Sequence, residues 1–178
     1  MKYFSGFCFD SESELFKEWL KKSDFTVAGF SYGAIKAFKY ASTCRYRVDK
    51  LQLFSPACFG DKSEKFKRLQ SLFFEKNKEA YIKEFLEKTV YPSDLNIEKY
   101  IKNGTKQELK ELLDYKWDKK ELKSLKNRGI EIEVYIGADD KIINPSWVLD
   151  FFKPYATVYY IKNAGHILAS IPITVMLA

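Results

Sequence analysis

The sequence predicts an α/β fold: a mostly parallel sheet of about five strands, flanked by helices and interrupted by a long helical insertion. Three observations lead there. Short apolar strand signals alternate with helix signals over residues 1–58, the alternation returns over 129–178, and residues 59–128 carry helical spacing alone. At 178 residues, 46% hydrophobic and 17% aromatic, the chain has apolar surface for one compact core and is too short for two comfortable domains.

Tyr3–Phe7 is a short aromatic run suited to a first strand, with a turn around Gly6. Ser11, with Glu14 three residues on, reads as a capping box, and Leu15, Phe16, Trp19 and Leu20 mark one face of the helix it would open, ending near Lys21 and Lys22. Phe25–Phe30 (FTVAGF) is apolar and partly β-branched, as a strand buried on both faces should be. Beyond Ser31, Gly33, Ala34, Ala37 and Ala41 keep one helix face small enough to lie close against the sheet. Leu51–Phe54 makes a third strand, which Ser55-Pro56 terminates.

Within the insertion, Phe66/Leu69/Phe73, Tyr81/Phe85 and Leu109/Leu112/Leu113 recur at helical spacing, with breaks at Tyr91-Pro92 and Asn103-Gly104. Strand signal returns where Ile130, Ile132, Val134 and Ile136 alternate with polar neighbours up to Gly137. Asn144 caps a helix beginning at Pro145. Thr157–Ile161 is the last strand, and a glycine-containing turn carries it to His166. Ile167–Ala178 is apolar but well short of the ~20 residues that cross a bilayer, so it reads as a buried or frayed terminus.

The net charge of +6 lies almost wholly between Phe59 and Gly129. Nucleic-acid binding would suit the pI of about 9.0, but the basic residues are interleaved with Glu and no recognition motif occurs. Cys8, Cys44 and Cys58 are odd in number and widely spaced, giving neither a disulfide framework nor a zinc-type pair. No leader peptide is visible, because an acidic residue interrupts the first apolar run. These features point to a cytoplasmic protein with reduced thiols, no metal and no membrane span.

The sharpest chemical signal is Gly29-Phe30-Ser31-Tyr32-Gly33, a GxSxG motif between a strand and a helix. A serine projecting from so tight a turn needs small residues two before and two after it, and both are glycine. The turn also sets the Tyr32 N–H at a helix N-terminus, where it can stabilise negative charge. A serine hydroxyl needs an adjacent base, and His166 is the one histidine in the chain. Its loop should emerge at the carboxyl edge of the sheet, where open parallel sheets place their sites. A carboxylate between the two, just after a strand, would orient the imidazole. Gly137-Ala138-Asp139-Asp140 stands there, with Asp140 the first choice and Asp139 the competitor.

The order GFSYG, YIGADDKIINP and NAGH resembles the α/β-hydrolase superfamily across the sheet-forming part of the chain. The resemblance implies a reduced version of that fold, with 1–58 and 129–178 as the hydrolase core and 59–128 as a helical cap. The chain would start at the third strand of the usual arrangement, leaving an exposed sheet edge that needs cover. The superfamily acid stands three residues after a glycine, which favours Asp140. Its N-terminal HG motif appears here as Ser5-Gly6-Phe7, so the resemblance assigns the oxyanion donors to the backbone N–H groups of Phe7 and Tyr32. No cofactor is implied.

The opening YFSGFCF, the elbow, the text around Leu112–Lys116 and the brevity of the chain resemble the compact, BioV-like pimeloyl-acyl carrier protein methyl ester esterases of biotin synthesis. That resemblance implies hydrolysis of a methyl ester on an acyl chain tethered to an acidic acyl carrier protein. The basic insertion could steer such a partner, with Lys62, Lys65, Lys67 and Arg68 as a local cluster. Phe73, Phe74, Tyr81, Phe85, Tyr100 and Trp117 are candidates for an acyl tunnel, or equally for ordinary cap core. A general short-acyl carboxylesterase or thioesterase, and a non-catalytic binding protein on the same scaffold, are the competing expectations.

Overall fold

The structure is a computed structural model that describes residues 1–170. The tail from 171 onward lies outside the described residues, and with it most of the apolar terminus singled out above. Five strands, β1 (Lys2–Phe4), β2 (Thr26–Phe30), β3 (Lys50–Phe54), β4 (Glu131–Gly137) and β5 (Thr157–Ile161), form one sheet in the order β1-β2-β3-β4-β5. Every neighbouring pair is parallel. Six helices accompany it: α1 (Tyr32–Thr43), α2 (Glu64–Lys76), α3 (Lys78–Val90), α4 (Lys106–Asp114), α5 (Lys119–Asn127) and α6 (Pro145–Phe152). No helix among the described residues is long and apolar enough to cross a membrane.

Strand side chains alternate between two cores, as the two-residue period of a strand requires. Val27, Leu51, Leu53, Ile132 and Val134 face α1, α5 and α6 on one side of the sheet. Ala28, Phe30, Phe54 and Tyr135 face the other, where the segment after β1 covers them with Phe9, Phe16 and Leu20. Phe16 stacks on Phe54 with centroids 4.7 Å apart and is wholly buried, a contribution of about 1.5–3 kcal/mol. The small face of α1 behaves as its composition demands: Ala34, Ala37 and Ala41 have no exposed surface.

Two expectations are corrected. The first strand stops at Phe4, because the chain turns away to bring Gly6 and Phe7 toward β2. The capping box at Ser11 does not form: Ser11 has φ 57 and makes no side-chain cap, and a 3-10 turn over Glu12–Phe16 replaces the helix. A capping box does form at Thr105 and Glu108, opening α4. The strand expected from Ile130 to Gly137 forms as β4, and it is buried on both faces from Ile132 onward. Glu133 and Tyr135 are as buried as Ile132 and Val134, because the Tyr135 hydroxyl, Gln52 Nε2 and Lys50 Nζ all donate to the Glu133 carboxylate. A buried charge is tolerated when its lone pairs are filled in this way.

Candidate active site

Ser31 sits between β2 and α1 with φ 53 and ψ −114, a backbone conformation that L residues avoid and that persists only where its surroundings hold it. Its N–H donates to the Phe54 carbonyl at 2.8 Å, and its carbonyl accepts from Ala34 and Ala57 at 3.1 Å each. The two motif glycines are there for space. A β-carbon on Gly29 would lie 2.2 Å from the Gly33 carbonyl oxygen, and one on Gly33 would lie 1.9 Å from the Phe4 carbonyl oxygen. The elbow thus packs backbone to backbone, against itself and against the end of β1.

His166 follows β5, where Gly165 and Ala164 approach the end of β4 so closely that a β-carbon on Gly137 would lie 2.2 Å from the Gly165 carbonyl oxygen. The Asp139 N–H donates to Ala164 across the same gap, at 2.9 Å. This contact sets the Asp140 carboxylate beside the imidazole. Asp140 Oδ2 lies 2.6 Å from His166 Nδ1, and His166 Nε2 lies 2.9 Å from Ser31 Oγ. The other oxygen, Asp140 Oδ1, accepts the Ile142 and Ile143 N–H groups at 2.7 and 3.1 Å. Those two bonds fix the carboxylate so that Oδ2 is left for the histidine. Ser31, Asp140 and His166 are all buried, while Asp139 is exposed and its side chain makes no hydrogen bond among the described residues. The geometry therefore brings together Ser31, His166 and Asp140 and leaves Asp139 to the turn.

The Ser5-Gly6-Phe7 loop lies against the elbow. A β-carbon on Gly6 would meet the Phe30 ring at 2.7 Å and the Phe30 carbonyl oxygen at 3.3 Å, so glycine is what lets the loop approach. Ser5, standing where the resemblance expects histidine, accepts the Ser11 N–H on its hydroxyl at 3.3 Å. Phe7 and Ser31 border the same cavity, with the Tyr32 N–H at the first position of α1. Beneath it the Tyr32 hydroxyl donates to Glu111 on α4. Burial first, and then that bond, push the Tyr32 phenol up and keep it protonated. Lys36 Nζ lies over the Tyr32 ring, 4.1 Å from its centroid.

The cavity has a volume of about 410 Å3 and is bordered by Ser31 and by side chains of α2, α3 and α4. Phe7, Phe59, Phe73, Tyr81, Phe85, Leu109, Leu112 and Ile142 are among its apolar lining, with Gln70, Lys76 and Asn77 among the polar groups bordering it. Of the aromatic candidates for a tunnel, Phe73, Tyr81 and Phe85 thus border the space. Phe74 lies behind it, packed against Phe7 and Tyr81. Trp117 is core, in contact with Phe38 and Phe152 and donating to Ala57, and Tyr100 belongs to the core on the opposite side of the sheet. The basic cluster divides as well: Lys62 pairs with Asp61 and Lys67 with Glu64, while Lys65 and Arg68 are exposed.

Burial pushes the Cys8 thiol up to about 12 and raises Cys58 as well, so neither is poised as a thiolate. Among the described residues no three His, Cys, Asp or Glu side chains converge as metal ligands. Sequence reading missed Glu12, whose buried carboxylate accepts the Gly6 N–H. It also missed Tyr91, whose carbonyl abuts Gly165. Neither residue carries a motif.

This arrangement of sheet, elbow and loops has counterparts among solved structures. MenH from S. aureus aligns over 92% of this chain and 85% of its own, with a TM-score of 0.57 at 17% identity. A bromoperoxidase from Bacillus anthracis aligns over 80% and 60%, with a TM-score of 0.59 at 17% identity. The fold is that of the α/β-hydrolases. The naproxen esterase (carboxylesterase NP) of Bacillus subtilis shares this α/β-hydrolase fold at 18% identity, with a TM-score of 0.53 over 80% of this chain. The chain spans about half the length of the Bacillus subtilis structures it matches, 54% and 53%. No family model matches the sequence, and no curated protein sequence does.

Proposed function

We propose that the protein is a serine carboxylesterase that hydrolyses the methyl ester of pimeloyl-acyl carrier protein to the free acid and methanol, a step of biotin synthesis. The observation that carries the enzymatic part is the hydrogen-bonded line Ser31 Oγ, His166 Nε2, His166 Nδ1, Asp140 Oδ2, with Ser31 bordering a mainly apolar cavity. His166 takes the Ser31 proton as Oγ bonds to the ester carbon, and the carbonyl oxygen becomes an oxyanion facing the Phe7 and Tyr32 N–H groups. The tetrahedral species collapses, the bond to the methoxy oxygen breaks, and His166 returns the proton so that methanol leaves. Water, deprotonated by His166, then attacks the acyl-enzyme, and the Ser31–acyl bond breaks with the proton passing back to Oγ. Asp140 holds the imidazole tautomer throughout.

The carrier-protein part rests on the family resemblance and on the insertion, whose Lys65 and Arg68 are exposed and whose helices border a mainly apolar cavity of about 410 Å3 beside Ser31. A second reading, a general short-acyl carboxylesterase or thioesterase, is favoured by one observation: Lys62 and Lys67 already have carboxylate partners, which weakens the basic patch.

Hydrolysis of methyl pimeloyl-carrier protein and of a small aryl ester, each at low and high salt, tests both. The first reading expects kcat/KM for the carrier substrate to exceed that for the aryl ester and to fall with salt, and Lys65→Glu with Arg68→Glu to lower it selectively. Salt-independent rates with no preference for the carrier overturn it in favour of the second. An active Ser31→Ala protein overturns both.

A further inference from the structure

The loop after β1 carries a buried carboxylate that the reaction just described does not use. Glu12 has no exposed surface, although Ser11 and Glu14 of the same acidic run are exposed. Its Oε1 accepts the Gly6 N–H at 2.9 Å and the Tyr3 hydroxyl at 3.1 Å. Burial first, and then the Glu12 charge, raise the Tyr3 phenol, so it remains a donor. Glu12 Oε2 is buried with no hydrogen-bond partner among the described residues. A carboxylate taken out of water and only half satisfied is costly.

What the carboxylate does to its neighbour is specific. Both peptide groups that meet at the Gly6 α-carbon are tied down: the N–H by Glu12, the carbonyl by the Phe9 N–H at 3.2 Å. The Gly6 carbonyl and the Phe7 N–H belong to one planar amide and point in opposite directions. The Phe9 bond holds that amide and the Glu12 bond holds the amide on the other side of the Gly6 α-carbon, so the two together restrict rotation about the Gly6 φ and ψ and with it the direction of the Phe7 N–H. An oxyanion donor is effective only within about 2.7–3.1 Å of where the charge will form, so a loop of this kind needs an anchor. Glycine at position 6 supplies close approach to Phe30 but no rigidity of its own.

We propose that Glu12 is a positioning residue for the oxyanion site: its carboxylate holds the Gly6 N–H so that the Phe7 N–H faces the acyl oxygen on Ser31. The inference rests on the reading of Ser31 as nucleophile and of the Phe7 N–H as oxyanion donor. The test is a set of Glu12 variants, each normalised to the fraction of protein whose Ser31 is titrated by a fluorophosphonate. Glu12→Leu, which keeps volume without an acceptor, is expected to lower kcat for a small aryl ester by about ten- to a hundredfold with KM within about twofold. Affinity for an aryl trifluoromethyl ketone, which forms a tetrahedral oxyanion adduct on serine, falls by the same factor as kcat/KM. Glu12→Gln, which keeps an acceptor at Oε1, recovers most of that loss. Glu12→Asp keeps the charge one methylene too far back and behaves like the leucine variant, so the aspartate and glutamine pair decides the matter even if Glu12→Leu does not fold. A merely structural role would lower the titratable fraction and leave kcat per titrated site unchanged, and that result overturns the proposal. If the wild type itself is not titrated, or Ser31→Ala retains activity, it is the esterase reading that fails.

Discussion

Gly165 and Tyr91 meet backbone to backbone: a β-carbon on Gly165 would lie 1.6 Å from the Tyr91 carbonyl oxygen. The end of α3 in the insertion therefore buttresses the residue that precedes His166. Gly165→Ala must push the histidine loop or the end of α3 aside, and a displacement of about 1 Å at a catalytic base costs on the order of a hundredfold in rate. The expected result is a loss of at least tenfold in kcat/KM in a protein that still melts cooperatively. Wild-type kinetics in a folded Gly165→Ala protein would show the contact to be compliant.

The two adjacent aspartates should separate cleanly. Asp140 is buried on His166, and Asp139 is exposed. Asp140→Asn leaves the shape intact but donates where an acceptor is needed, and should lower kcat by about three to four orders of magnitude. Asp139→Asn should stay within about twofold of wild type. Ester hydrolysis by the two purified variants, side by side, reads the difference.

On the proposed esterase reading, chain length is set by the cavity that α2, α3 and α4 border. Ala80 borders it, and a phenyl ring there would occupy space that a longer acyl chain needs. Ala80→Phe should raise KM for hexanoyl and octanoyl aryl esters by about tenfold and leave acetyl esters near wild type. Equal effects on all three lengths would place the acyl chain elsewhere.

Glu133 gives the fold a defined acid sensitivity. Burial acts to raise its carboxyl, but the hydrogen bonds from Lys50, Tyr135 and Gln52 outweigh it, so the group titrates below its ordinary 4.5. A carboxyl depressed on folding stabilises the protein fully above that ordinary value and loses the contribution as pH falls through the depressed one. Glu133→Gln should therefore cost about 1–3 kcal/mol at neutral pH, and the gap to wild type should narrow toward about pH 3.5. Urea midpoints of both proteins at the two pH values measure it, and a constant gap would contradict the sign.

Much of this was legible in the sequence, and for identifiable reasons. The elbow and the Ser31, Asp140, His166 order could be read because tight backbone approaches exclude every residue but glycine at positions 29, 33, 137 and 165, which leaves a local signature. The helix expected at Ser11 failed because the local capping pattern competes with a tertiary demand: Glu12 is drawn inward to Gly6, and Ser11 turns left-handed to allow it. The burial of both faces of β4 could not be read from its sequence, because a polar residue on a strand normally means solvent. Glu133 instead finds donors on β3 and on its own strand, and a cross-strand network leaves no trace in local periodicity. Phe73 and Phe74 were inseparable for a related reason. Adjacent positions on one helix diverge by about 100°, and sequence alone does not say which of the two faces the cavity.

The order of the strands bears on how the molecule comes together. Each strand pairs with its neighbour in sequence, yet α2 to α5 intervene between β3 and β4, so that one pairing closes a far longer loop than the others. Ser31 lies before that loop, Asp140 and His166 after it. On the proposed esterase reading, a chain with only its first three strands paired would own a nucleophile without a base, and closing the longer loop between β3 and β4 costs about 1 kcal/mol more than the other connections, which disfavours its early formation. Recovery of fluorophosphonate reactivity during refolding would thus follow the last long-range docking, later than the return of helical ellipticity.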